Sequence, residues 1–351
     1  MKRTVFCTLL LAFSLTYGSA KPDKGYHVTL DNLLDEMLSV EQQARIPYPS
    51  YKSGQVSSYD RRSVSPENDG WFANNDGFGI ERTDTIDGRI EKVMFDEAGP
   101  GVITRIWITT LDKRGTWRFY FDGDDTPGLV IPAYDLMKLE IPEIKNGLVM
   151  AHTSYTPEGK GGNTSFLPIP YGKSCKVTFE DEPGINPTPK YYHINFRKYP
   201  ENVSVETFSY NTLEKARKKL AATNSSLLNP ATIYGKRFKT ISGMKTITPN
   251  DSLVLKLPKG NRAIYEIRFN VSVKNPDDYA AIMRQLIFQA EFDKKQTVWV
   301  PLSDYSGGGM GAPVVESWYL SSDGNGKITS RWLMPYSKSG ELAIRNLSSS
   351  D

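Results

Sequence analysis

Residues 117–135 read WRFYFDGDDTPGLVIPAYD, and residues 286–304 read LIFQAEFDKKQTVWVPLSD. Each is an apolar run, an acidic turn, a second apolar run and then Pro-x-x-Asp, the pattern of a β-hairpin with a fixed exit. Asp122 matches Asp293, Pro132 matches Pro301, and Asp135 matches Asp304. Downstream, TSFLPIPYGKSCKVTFE at 164–180 aligns without a gap on TSRWLMPYSKSGELAIR at 329–345, with Thr-Ser, Pro-Tyr and Lys-Ser at the same offsets. Upstream, ITRIWI at 103–108 resembles IYEIRF at 264–269. Matched blocks in one order point to a structural unit used twice. Strand–turn alternation is common to all-β chains, but it does not by itself yield an ungapped Pro-Tyr-x-Lys-Ser match.

The chain has 351 residues, enough for two domains with cores of their own. Residues 1–20 stand apart. Lys2 and Arg3 precede a mainly apolar run, and Gly18-Ser19-Ala20 offers small residues for cleavage. This is the pattern of a secretory signal peptide, too short for a spanning helix. It implies export, to the periplasm or the cell surface. Cys7 lies inside the apolar run, not after it, which argues against a lipoprotein anchor. No later segment is apolar enough to span a membrane. Without Lys2 and Arg3 the formal charge of +3 falls close to neutral, and no basic patch suited to nucleic acid stands out. Cys175 is the one cysteine left after cleavage, so no intrachain disulfide is expected. It reads as a small buried strand residue, not a nucleophile.

In chain order, Leu30, Leu33, Leu34, Met37 and Leu38 fall at helical spacing within 29–45, with Thr29 as N-cap and Pro47 and Pro49 beyond the end. Residues 57–82, SSYDRRSVSPENDGWFANNDGFGIER, read as a loop. Its content of Asp60, Arg61, Asp69, Trp71, Asn74, Asn75 and Asp76 suits sugar recognition, with carboxylates and amides for hydroxyls and an aromatic face for a sugar ring. Turn chemistry, with Asx-turns and local salt bridges, explains the same residues equally well. Strands are expected across 91–121, broken at Gly99-Pro100-Gly101. Arg105 within them must be on the solvent face or paired. The acidic group Asp122, Asp124 and Asp125 lacks the rest of a calcium loop and reads as a turn. Residues 142–162 read as a long connection carrying His152 and Tyr155. Tyr191, His193 and Asn195 fall on one face of a strand. Residues 213–228 read as a helix bridging the two units. The strand at 342–346 is the last in the sequence, so the second unit reads as unfinished, with a sheet edge left bare unless another chain or further residues cover it.

Neither a zinc site nor a phosphate cradle is expected. His27, His152 and His193 are widely spaced, and Gly307-Gly308-Gly309 precedes no helix start. No G-x-S-x-G elbow is present. No cofactor is implied. Carbohydrate chemistry remains, and a glycosidase needs two carboxyl groups at a set separation. Glu291 and Glu316 in the second unit are candidates, Glu291 reading also as an ordinary surface acid.

The ordered motifs SSYDRRS, NDGWFANND, EAGPGVITRIWIT and WRFYFDGDDTP with IPAYD resemble the family once catalogued as domain of unknown function 2961, which includes glycoside hydrolase family 172. The resemblance implies two tandem jelly-roll β-sandwiches, and with the elements read above the chain is expected to be mainly β, the second sandwich incomplete, with an N-terminal helix and a bridging helix. It implies assembly as trimers or hexamers and action with retention on furanosides such as α-D-fructofuranosides, difructose anhydrides and D-arabinofuranosides. Together with the signal pattern, the helical spacings and the repeat, this divides the chain into residues 1–20 as signal, 21–56 as an N-terminal helical segment, 57–210 as the first sandwich, 211–250 as a helical or loop linker and 251–351 as the second, incomplete sandwich. The family's two catalytic glutamates lie in Trp-Trp-Gly-Glu-Gly and Gly-Thr-Gly-Thr-Glu-Asp-Tyr motifs. Neither motif occurs in this sequence, so no catalytic residue is carried over, and the chain reads as cut short of them. Ser58, Asp60 and Arg61 match the family's Ser-x-Asp-Arg, which the resemblance places near the sugar. With Trp71, Asn75 and Asp76 they form the expected substrate-binding set for an oligo- or polysaccharide. The competing expectation is a clasp, with Arg61 bridging loop to sandwich.

Overall fold

A computed structural model describes residues 25–110, 114–132, 141–151, 161–230 and 239–348. In the first hairpin, Trp117, Phe119 and Phe121 alternate with Thr116, Arg118 and Tyr120, so one face of the strand is apolar and faces the core. The first unit contains β1 (His27–Val28), α1 (Leu30–Leu38), β2 (Lys52–Ser57), β3 (Arg82–Ile86), β4 (Arg89–Ala98), β5 (Gly101–Thr110), β6 (Thr116–Phe121), β7 (Leu129–Pro132), β8 (Val149–Ala151), β9 (Gly161–Ser165), β10 (Ile169–Tyr171), β11 (Ser174–Glu180), β12 (Lys190–Lys198), β13 (Ser204–Val205), α2 (Tyr210–Lys215) and α3 (Arg217–Leu228). One sheet runs β2-β12-β5-β9-β8, with β10 also on β5, and the other runs β3-β4-β11-β6-β7. Their facing sides bury Phe95, Ile106, Ile108, Trp117, Phe119, Val177, Phe179, Tyr192 and Ile194 in one core. Each such side chain contributes about 1.5–3 kcal/mol by leaving water.

The second unit contains β14 (Ser252–Lys256), β15 (Arg262–Ile264), β16 (Ile267–Asn270), α4 (Tyr279–Gln285), β17 (Leu286–Phe292), β18 (Lys295–Pro301), α5 (Leu302–Tyr305), β19 (Val314–Glu316), β20 (Leu320–Asp323), β21 (Lys327–Ser330), β22 (Met334–Tyr336) and β23 (Gly340–Asn346). Its sheet β14-β23-β17-β18 repeats β4-β11-β6-β7, and β16-β21-β20 repeats β5-β9-β8. The repeat holds in register. Cys175 lies opposite Phe121 as Gly340 lies opposite Phe292. Ser165 lies opposite Ile106 as Ser330 lies opposite Ile267. Ile169 lies opposite Ile103 as Met334 lies opposite Ile264. The chain is therefore mainly β, with two jelly-roll sandwiches.

The conserved offsets have a physical cause inside the chain. Asp122 and Asp293 both adopt left-handed backbone, at φ 58° and 53°. Asp122 Oδ1 accepts from the backbone N–H of Lys173 at 2.6 Å and Ser174 at 3.2 Å. Asp293 Oδ1 accepts from Lys338 at 2.6 Å and Ser339 at 3.0 Å. In return the N–H of Asp122 donates to Ser174 O at 2.8 Å, and that of Asp293 to Ser339 O at 2.9 Å. One aspartate thus ties the hairpin turn to the Lys-Ser turn in each copy, which is why the two motifs recur together.

The two copies differ at one edge. β12 and β2 extend the first unit beyond β5, and among the described residues β16 has no equivalent neighbour on that side. Local elements also differ from expectation. The helix predicted over 29–45 ends at Leu38, where Ser39 turns to extended backbone, and a 3-10 turn follows at Gln42–Ala44. Thr29 does cap it, in a reciprocal box with Asn32. The connection at 142–162 contains strand β8, and His152 and Tyr155 lie outside the described residues. The second Pro-x-x-Asp opens α5, where Asp304 accepts from Arg284, while Asp135 lies outside the described residues. In the segment read as a bridge, Ser209 caps α2, and Leu213, Ala216 and Leu220 join the first core. Cys175 is fully buried there, which pushes its thiol well above the ordinary range. No helix among the described residues is long and apolar enough to cross a membrane.

Candidate functional site

The loop between β2 and β3 is tied down by its own polar groups. Ser58 continues the β2–β12 ladder. Its N–H donates to Tyr192 O at 3.2 Å, its Oγ accepts from Tyr192 N at 3.2 Å, and its O accepts from Gly77 N at 2.9 Å. Asp60 is buried. Oδ1 accepts from Arg62 N at 3.1 Å and Arg62 Nε at 3.0 Å, while Oδ2 accepts from Arg62 Nη2 at 2.6 Å and Asn75 N at 2.9 Å. Asp76 Oδ1 accepts from Asp60 N at 2.7 Å, closing the two ends of the loop on each other. The Arg62 side chain first, then the Arg62 and Asn75 backbone N–H groups, hold the Asp60 carboxyl far below the usual carboxylate range. Such a group stays ionised and is no proton donor near neutral pH.

Arg61 points the other way. Nη1 donates to Ser57 O at 2.9 Å and Tyr59 O at 3.1 Å, Nη2 donates to Glu81 Oε1 at 2.8 Å, and the guanidinium lies over the Tyr59 ring at 4.1 Å. It fastens the loop to the start of the second sheet. Gly79 passes so close that a Cβ there would stand 2.0 Å from Tyr59 O, so the position requires glycine.

The structure therefore divides the six candidates. Ser58, Asp60, Asp76 and the backbone of Asn75 come together as the clasp, and Arg61 is its outer fastening. The Trp71 ring is 38% exposed and its neighbour Phe72 93% exposed. With the side chains of Asn74 and Asn75, they form the solvent-facing tip. A rigid loop presenting aromatic rings and amides is suited to binding, since little ordering remains to be done when a ligand arrives. Sequence reading missed Arg62 and Glu81, the charge partners of Asp60 and Arg61. The Asp-Arg-Arg run held a signal for the first, while the second is distant in sequence.

The candidate carboxylates stay apart. Glu291 lies on β17, exposed and directly opposite Glu341. Glu316 lies on β19 in the other sheet, opposite Ser321. Sequence reading also passed over Glu91, which is fully buried on β4. It accepts from Tyr120 at 2.8 Å, Thr178 at 2.5 Å and Arg89 at 3.0 Å. Burial pushes its carboxyl up, but the hydrogen bonds from Thr178, Arg89 and Tyr120 outweigh this and hold it low. With its partners all engaged, Glu91 braces the sheet.

Comparison with known families gives two matches. The GH172 first beta-sandwich domain matches residues 49–216, and the GH172 domain-like model matches residues 237–351. No curated protein matches the chain. Among solved structures, a vicilin from Capsicum annuum aligns at 8% identity over 75% of this chain and 77% of its own, with a TM-score of 0.14. An 11S globulin from Wrightia tinctoria aligns at 8% identity over 76% and 82%, with a TM-score of 0.13. Likenesses that weak carry no argument. The family matches span both sandwiches in order, each on one copy of the repeat, and the chain belongs to glycoside hydrolase family 172.

Proposed function

We propose that this chain is an exported carbohydrate-active protein that holds furanosides, fructofuranosides or arabinofuranosides, in a retaining glycoside hydrolase reaction. The family match over both sandwiches carries this reading. The clasped loop supports it, with Trp71 and the side chain of Asn75 facing solvent. In this reading Ser58, Asp60, Arg61 and Asp76 are positioning residues that hold the loop, and Trp71 with Asn75 touches the sugar. Export rests on residues 1–20, and assembly as a trimer or hexamer on the resemblance of the motifs. Incubation of the purified, assembled protein with aryl furanosides and arabinan tests the reaction. The motifs that carry the family's two catalytic glutamates do not occur in this sequence, so sugar release with retained anomeric configuration would require carboxylates other than those, and its absence from every furanoside sinks the hydrolase reading.

One observation favours a second reading, glycan binding or assembly without turnover. The carboxylate at the heart of the loop, Asp60, is consumed by hydrogen bonds and held far from any role as an acid. Under that reading glycans bind through the loop tip and are not cleaved. Loss of glycan hydrolysis on substituting one carboxylate within this chain would overturn it.

A further inference from the structure

The outward face of the β2-β12-β5 sheet carries a row of groups that the loop does not use. Because Ile106, Ile108, Tyr192 and Ile194 point into the core, their alternating neighbours point out. Across the strands these form three rows: Thr109 with Tyr191, Trp107 with His193 and Ser57, and Arg105 with Asn195 and Gln55. From the first row to the third is about 13 Å along the strands. One end of this outer face is covered by Val28, Leu33, Tyr199 and Val205, which pack with Val102. The three rows lie beyond that cover. The clasped loop borders them, since Gly77 sits close enough that a Cβ would stand 3.2 Å from the Tyr191 ring.

Arg105 is the unusual member. The other arginines on the first unit's strands all meet carboxylates: Arg82 with Asp96 at 2.5 Å, Arg89 with Glu91 at 3.0 Å, Arg118 with Glu180 at 2.8 Å and Arg197 with Glu36 at 2.7 Å. Arg105 is half-buried, and among the described residues its hydrogen-bond partner is an amide: Nη1 donates to Asn195 Oδ1 at 3.2 Å. Asn195 Nδ2 in turn donates to Gln55 Oε1 at 3.0 Å, which fixes the amide so that its oxygen faces the guanidinium. Among the described residues no carboxylate lies within ion-pair distance of Arg105. A partly desolvated cation without a counter-charge is costly, and a guanidinium fork held at one corner matches an incoming carboxylate. Beside it the Trp107 and His193 rings pack at 5.1 Å, and Tyr191 is 38% exposed, giving flat apolar surface next to the charge. Burial first, then the Arg105 charge, hold His193 below its ordinary value, so it stays neutral and adds ring surface, not a second cation.

We propose that this face is a second carbohydrate-binding surface that takes an acidic sugar unit of a polysaccharide, a uronic acid, with the carboxylate on Arg105 and the ring faces over Trp107 and Tyr191. The ligand class rests on the carbohydrate reading above, but the surface needs no turnover. The test is calorimetric binding of oligogalacturonate and of its methyl ester to the full chain, to Arg105→Gln, to Asn195→Ala and to Arg268→Gln as an exposed charge control on the second unit. Binding of the acid, at least about tenfold weaker for the ester and for Arg105→Gln, is expected, with Asn195→Ala in between and Arg268→Gln unchanged. Equal binding of acid and ester, no binding, or an equal loss in Arg268→Gln overturns the proposal. Because Asn195→Ala leaves the cation in place, a folding defect in Arg105→Gln does not hide the answer. Binding without release of sugar from any furanoside would end the hydrolase reading and leave this surface standing. Sugar release without oligogalacturonate binding would do the reverse.

Discussion

The two sandwiches share registers and an aspartate clasp, yet their cores are not equally dry. Ile108, Val177 and Phe179 are fully buried in the first, while their counterparts Phe269, Leu342 and Ile344 are only partly buried in the second. The first unit has β12 and β2 beside β5, and the second has no counterpart to either among its described residues. Hairpin geometry and clasp are therefore local properties, set within each copy. The depth of the core depends on how many strands flank it.

Hydrogen exchange offers the largest expected contrast. Alternate amides of Ile267–Asn270 face the side of β16 that has no strand neighbour among the described residues, and are expected to exchange at least about a hundredfold faster than those of Arg105 to Ile108, which lie between paired strands. Equal protection would mean that a further strand covers β16 in the isolated protein, and the comparison would break. Next come the clasps. Asp122→Ala strands the N–H groups of Lys173 and Ser174, so a loss of about 1–3 kcal/mol in urea unfolding is expected. Asp293→Ala shifts the second unit in the same direction. The backbone N–H groups of Ser339, Ser337 and Lys338 hold the Asp293 carboxyl below its usual value. Its folded pKa is thus depressed, so its contribution is present above the unfolded value near 3.9 and lost as pH falls through the folded one. Stability followed from pH 5 to strong acid checks this, and Asp293→Ala removes that part of the acid dependence.

The smallest effect sharpens the comparison most. Tyr171 and Tyr336 are the same tyrosine in the two Pro-Tyr motifs. The Tyr336 hydroxyl donates to Pro258 O at 2.8 Å, whereas the Tyr171 hydroxyl is buried with no hydrogen-bond partner among the described residues. Tyr336→Phe is expected to destabilise by about 0.5–1.5 kcal/mol, and Tyr171→Phe to be neutral or stabilising. Opposite signs in denaturant midpoints would confirm that one contact was kept in one copy and lost in the other.

Much of this was legible because repetition amplifies weak signals. One hairpin pattern is ambiguous, but two with a shared Pro-Tyr-x-Lys-Ser carry register as well as type, and the clasp explains why those residues travel together. The loop was harder. Its residue types fit either sugar contact or turn chemistry, and the choice depends on whether each carboxylate meets an arginine. Asp60 meets Arg62, two positions away, while Arg61 meets Glu81, twenty positions on, and local pattern does not reach that far. Helix ends were misjudged for a related reason. Residues after Leu38 keep helical composition, but Ser39 adopts extended backbone and Val40 is buried by tertiary contact.

The buried Cys175 has a practical consequence. Beyond residue 20 it is the one cysteine in the chain, and its counterpart in the second copy, Gly340, has no sulfur. In protein without residues 1–20, a maleimide pulse during unfolding therefore tags molecules whose first sandwich has opened and ignores those in which only the second has. The chain thus carries a built-in reporter that lets the two halves be timed separately without adding any label site.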